Sequence, residues 1–264
     1  MDESNLSSIE DLDTLVNMLK MAFSFENWDK IIELSEDLLS LVHLIREKAI
    51  RANGKRPLVY YYGYGHLMKG LALKKLRQYD QARACIAEYG GLDWFGGLDE
   101  RGREEVEYYR FIAIANLFEI NMLSGHTEVL GDYVRFLQEN PFEVLPGLLT
   151  ILEAANKHGL NADDILERFS GQIREFGNAQ EVVNLAYYHS FLLELARYKI
   201  RQNKPADAAD DILIVLASAV KMSNHNDFRK CAAMFEIIRD STSLAQKERY
   251  RSIMQNIVEK ELVQ

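Results

Sequence analysis

The chain has 264 residues, a formal net charge of −9, 48% hydrophobic and 27% charged residues, and only four prolines. That length buries a core, and the mixture is that of a soluble globular protein rather than a disordered or fibrous one. An acidic surface without a basic stripe argues against nucleic-acid binding, because a duplex is itself densely negative.

The first segment, "MDESNLSSIEDLD", lacks the basic start and apolar run of a signal peptide, and Ser7 with Glu10 forms a capping box. In "LDTLVNMLKMAF" the residues Leu12, Leu15, Val16, Leu19 and Phe23 recur at helical spacing on one face. "RANGKRP" reads as a helix-ending turn at Asn53-Gly54, since no apolar strand precedes its Gly-Lys as a phosphate loop requires. "YYYGYGH" places Tyr60, Tyr61, Tyr62 and Tyr64 close together, and the expectation is a mixture of wedging and display, with Tyr64 facing a groove.

In "YGGLDWFGGLDERG" Gly90 and Gly91 suit a left-handed helix end, and Trp94 with Phe95 is expected to plug a seam between structural units. In "ENPFE" Asn140 is the expected N-cap, Pro141 the first helical position and Glu143 a first-turn acid; Pro146 then either delays the helix or kinks it. Asn178 with Glu181 forms a second capping box, and Pro205 opens a helix after "RQNK". "ILIVLASAV" is about half the length of a membrane span, and "AAMFEIIRD" sets Ala233, Phe235, Ile237 and Ile238 on one face. No stretch alternates, so no strand is expected. Cys85 and Cys231 lie far apart in helical segments, which predicts no disulfide framework and a reduced, cytoplasmic setting.

"GHLMKGLALKKLRQYDQARACIAEY" contains Gly70 and Ala72 in one helix, Tyr79 at a turn and Ala82 in the next helix. Small residues at both sites let two antiparallel helices approach closely. Registering the chain on Ala82 yields weaker copies at Trp28/Ile31, Gly125/Leu130, Gly159, Ala196/Ala208 and Ala233/Ala245. The steps exceed the tetratricopeptide (TPR) period of about 34 residues. The expected fold is a single all-α domain over residues 1–264, a TPR-like right-handed superhelix of five or six helix hairpins.

The stretch Tyr60–Glu107, together with "ENPFEVLPGLLTILEAANKHGLNADDILERF", resembles the sensor region of TPR-containing regulators from Bacillus-like bacteria. More broadly it is similar to the peptide-pheromone receptors of Gram-positive bacteria of the Rap, PlcR and NprR type. Such proteins typically carry an N-terminal helix-turn-helix domain. This chain runs from an acidic start directly into its first hairpin, so direct DNA binding is not expected.

Counting outward from the small positions places a groove-facing set on the first helix of each hairpin. It comprises Tyr64, Leu67, Leu71, Lys74 and Lys75; Ala115, Asn116, Glu119 and Met122; Leu149, Glu153, Asn156 and Lys157; and Asn184, Leu193, Arg197 and Arg201. Asn side chains pair with both the N–H and C=O of a peptide backbone, and charged residues hold termini or side chains. Any one of these taken alone is better read as a solvated helix residue; the set as a whole suits an extended peptide or protein segment. Charge reversal at Lys74 or Arg197 is expected to weaken such binding with little loss of stability.

No phosphate loop, nucleophile elbow, zinc-protease helix or paired-cysteine motif is present, and the six histidines show no ligand spacing. The expected function is therefore non-enzymatic, without metal or cofactor: peptide capture in a bacterial regulatory system. Two alternatives remain, an architectural TPR scaffold that forms a homodimer, and a Rap-like antagonist or phosphatase of a response regulator.

Overall fold

A computed structural model describes residues 11–49, 54–177 and 182–262. The pairs Ser7–Glu10 and Asn178–Glu181, and Asn53, lie outside the described residues. Everything regular within them is helical, with no strand. Two compact units divide the chain between Ser124 and Gly125.

The first unit comprises α1 (Leu12–Ser24), α2 (Trp28–Glu47), α3 (Leu58–Lys75), α4 (Tyr79–Gly90) and α5 (Glu100–Ser124). Each helix packs on the next, and α3 also touches α1 and α5. The hairpin turns share one device. At the end of α3, Arg77 adopts a left-handed φ of 61°, its N–H bonds to Lys74 O, and the N–H of Gln78 bonds to Leu73 O. This is the two-bond closure that satisfies the last carbonyls of a helix. Glu26 does the same after α1, with bonds from Glu26 N–H to Phe23 O and from Asn27 N–H to Ala22 O.

Helix α3 is apolar on nearly every side, which an edge helix would not tolerate. Its neighbours meet it at glycines. A Cβ on Gly70 would stand 3.1 Å from Cys85 Cβ on α4, one on Gly65 2.9 Å from Leu39 on α2, and one on Gly63 2.3 Å from the Tyr109 ring on α5. The small residues expected at Gly70 and Ala82 therefore do mark a close helix approach. Of the tyrosines, Tyr61 and Tyr62 are buried wedges, while Tyr60 and Tyr64 are half-buried and stack on each other at 5.6 Å.

The second unit holds α6 (Leu130–Glu139), α7 (Val144–His158), α8 (Asp163–Arg168), α9 (Ser170–Phe176), α10 (Val182–Arg201), α11 (Pro205–Lys221), α12 (His225–Ile238) and α13 (Leu244–Leu262). Helix α7 packs on α10, α10 on α11, and α11 carries both α12 and α13. The turn seen in the first unit recurs after α10 at Asn203 and after α11 at Ser223, again left-handed and again bonded back into the helix end. Ala196 and Ala208 are buried, Pro205 opens α11 as expected, and Phe235 stacks on Tyr250 at 4.2 Å between α12 and α13.

Several expectations are corrected. Helix α2 ends at Glu47 and Ala49 takes the positive φ, so the helix stops well before Asn53-Gly54. Gly91 has φ −112°, so the end of α4 is not left-handed; the positive φ values fall at Gly96 and Gly97, beyond a 3-10 turn over Leu92–Phe95. Gly90 is small for another reason, since a Cβ there would lie 2.9 Å from Ala113. Asn140 donates its side-chain amide to Phe136 O, finishing α6 rather than capping the turn at Pro141. Pro146 sits in the first turn of α7, where a missing N–H leaves no bond unmade, so it delays the helix without kinking it. Phe23 and Ile237 are 43% and 80% exposed; Ala22 takes the inward place beside Leu19.

Candidate functional site

Helices α3 and α5 run side by side in the same direction. Arg56, just ahead of α3, reaches Glu105; Tyr109 Oη donates to Tyr60 O at 2.9 Å; and Lys74 Nζ lies 2.6 Å from Glu119 Oε2. The seam between them carries an aromatic end at Tyr60 and Tyr64, an apolar middle at Leu67 and Leu71, and a polar end at Lys74, Asn116 and Glu119. Burial pushes the Tyr64 phenol up to about 12.

At the polar end, Leu67, Gly70, Leu71, Lys74, Ile86, Tyr89, Asn116 and Ile120 line a crevice with about 20 Å3 of internal space. That is room for one water molecule, not for a side chain. Asn116 Nδ2 donates to Tyr89 Oη at 2.9 Å, and burial raises the Tyr89 phenol above its ordinary range. Among the described residues Asn116 Oδ1 has no hydrogen-bond partner, and Lys74 commits a single contact out of three ammonium donors. The side chains of Lys74 and Glu119 are 12% and 22% exposed. The crevice rim thus offers donors and acceptors beside apolar carbon.

The first unit brings Lys74, Asn116 and Glu119 together, with Tyr64 farther along the seam and Lys75 exposed one residue beyond Lys74. Met122, expected beside them, is buried, because α5 meets α3 and α4 on two different sides.

In the second unit Asn156 on α7 donates to both the backbone O and Oε2 of Glu194 on α10, each at 2.9 Å, and Arg197 pairs with the other oxygen of Glu194. The Asn156 Oδ1 atom is buried without a partner. Glu153 is half-buried on α7. Arg201 lies over the Tyr198 ring and donates to Leu160 O at 2.7 Å, clamping the end of α7. Asn184 belongs to α10, but its side chain lies outside the described residues. Leu193 is buried rather than displayed. Glu194 escapes the counting rule, although its i,i+3 spacing from Arg197 was visible in the sequence.

Among the described residues no group of three or more His, Cys, Asp or Glu side chains is placed to hold a metal, and no helix is long and apolar enough to cross a membrane. Cys85 and Cys231 are buried and unpaired. Comparison with protein-family models, curated proteins and solved structures gave no match.

Proposed function

We propose that the chain is a non-enzymatic binding module that takes a short extended peptide or protein segment along the α3–α5 seam of its first unit. The observation that supports this most is the crevice rim, where Asn116 Oδ1 and the Lys74 ammonium keep uncommitted hydrogen-bonding capacity beside Leu67 and Leu71. A peptide backbone needs that combination of donor, acceptor and apolar contact. From Tyr60 to Lys74 the helix advances about 21 Å, which about six extended residues span.

In this reading the stack winds as a right-handed TPR-type superhelix and the protein acts in the cytoplasm, in bacterial signalling or transcriptional regulation, as the sequence resemblance implies. A ligand touching both α3 and α5 favours the spacing that lets it touch both, and binding shifts that population.

The test is a fluorescence-anisotropy screen of the purified protein against a labelled hexapeptide library, with Asn116→Ala as control. The reading expects saturable binding by a subset of peptides and at least a tenfold loss in Asn116→Ala. Selected peptides that bind Asn116→Ala unchanged would remove the seam as the site. Absence of any binder, with a tight dimer by light scattering, would replace the reading with an architectural one.

A further inference from the structure

On a different part of the first unit, Arg46 near the end of α2 lies over the Trp94 ring, its guanidinium carbon 4.2 Å from the ring centre and 5.1 Å from that of Phe95. Trp94 in turn meets Tyr62 edge-on at 5.3 Å, and Tyr62 donates to Glu88 at 2.8 Å. Phe95 is buried and fixes the base of the stack, while Trp94 remains 43% exposed.

Elsewhere in the first unit Arg56, Arg83 and Arg110 pair with carboxylates, and Arg103 bonds to Leu98 O. Arg46 is exposed and, among the described residues, its side chain makes neither a hydrogen bond nor an ion pair. Glu88, on α4, is engaged by Tyr62 instead. The stack therefore holds the guanidinium in place while leaving its forked donors without an acceptor among the described residues. Stacking on an aromatic face removes much of the side-chain freedom that an arginine otherwise loses on binding. The turn beside Trp94 is open as well, since a Cβ on Gly96 or Gly97 would meet nothing within 4 Å.

We infer that Arg46 and Trp94 form an interaction surface for an acidic protein segment, in which one carboxylate takes the Arg46 fork and a neighbouring apolar side chain lies against Trp94. A carboxylate matches the planar fork with two parallel hydrogen bonds. Dense polyphosphate is the poorer fit, because a single stacked arginine neutralises little of a nucleic acid. This surface lies on α2 and the turn after α4, and it does not depend on the α3–α5 seam.

The test uses fluorescein-labelled Glu-Leu-Glu-Asp-Leu-Glu and its Lys-Leu-Lys-Lys-Leu-Lys counterpart, titrated with the full chain and followed by anisotropy. The acidic peptide is expected to bind saturably and to weaken with salt, and the basic one not to bind. Arg46→Ala and Trp94→Ala should each weaken binding at least tenfold, and Arg46→Lys, which keeps charge but loses the fork, at least threefold. Circular dichroism should show Arg46→Ala folded, since the side chain is exposed. Equal affinity of Arg46→Ala and the unaltered chain overturns the inference, as does equal binding of both peptides or no binding of the acidic one. Displacement by millimolar inorganic phosphate as effectively as by free acidic peptide overturns the protein-segment assignment. Loss of binding in Asn116→Ala would assign the probe to the seam instead.

Discussion

Lys74 on α3 and Glu119 on α5 face each other at 2.6 Å across the seam, both mostly shielded from water. Reversing the lysine would set two carboxylates against each other, so charge reversal cannot be as innocuous here as counting positions suggested. Lys74→Ala is expected to cost about 2 kcal/mol, because it strands a shielded carboxylate, and the double variant Lys74→Ala/Glu119→Ala less than the sum of its singles. Urea unfolding of the four proteins measures this; additivity would show that the pair is not coupled.

Gly63 has no room for a methyl group. Tyr109 is buried and its hydroxyl is tied to Tyr60 O, so its ring cannot retreat from a Cβ 2.3 Å away. Gly63→Ala is expected to lower stability by about 3 kcal/mol, whereas Gly70→Ala, with Cys85 Cβ at 3.1 Å, should lose far less. Thermal melts of both variants test the order.

The left-handed turn after α3 is occupied by Arg77, an exposed residue with a side chain that disfavours that backbone. Arg77→Gly is expected to stabilise the protein by about 1 kcal/mol, the cost of a Cβ in that region. A lower melting temperature in the variant would contradict this.

Burial holds the His66 imidazole down to about 4, with nearby Glu88 opposing, and its Nδ1 has no partner. The folded state therefore keeps it neutral while the unfolded chain protonates near 6.5. Its contribution to stability is accordingly present above pH 6.5 and is lost as pH falls towards 4. His66→Phe should flatten that part of the curve of melting temperature against pH. Asp211 works in the opposite direction. Burial lifts its carboxyl to about 6 against the pull of Lys199, so its contribution is present below pH 3.8 and lost as pH rises through 6. Asp211→Asn should remove that opposing slope.

Helices were legible because a core-facing stripe repeats at about 3.6 residues whatever the tertiary context, as Leu12, Leu15, Val16 and Leu19 show. The crossing at Gly70 and Ala82 was legible for a steric reason that needs no neighbours to be known. From that register Lys74 falls at the crevice, and Asn116 and Glu119 reach it from the next hairpin. Most of the turns were not legible, because Glu26, Arg77 and Ser223 adopt a conformation that sequence reading assigns to glycine or asparagine. Met122 and Leu193 were misplaced because a helix covered on two sides has less free surface than a hairpin count allows. The two helices of the expected Gly125 hairpin fall in different units, a division that no local pattern around that turn encodes.

The notch at Gly63 also bears on how the chain is made. Tyr109 follows it by more than forty residues, so α3 is synthesised well before the ring that fills the notch. At about 5–20 residues per second, several seconds pass with one apolar side of α3 uncovered. A pause in synthesis before α5 is in place lengthens that exposure.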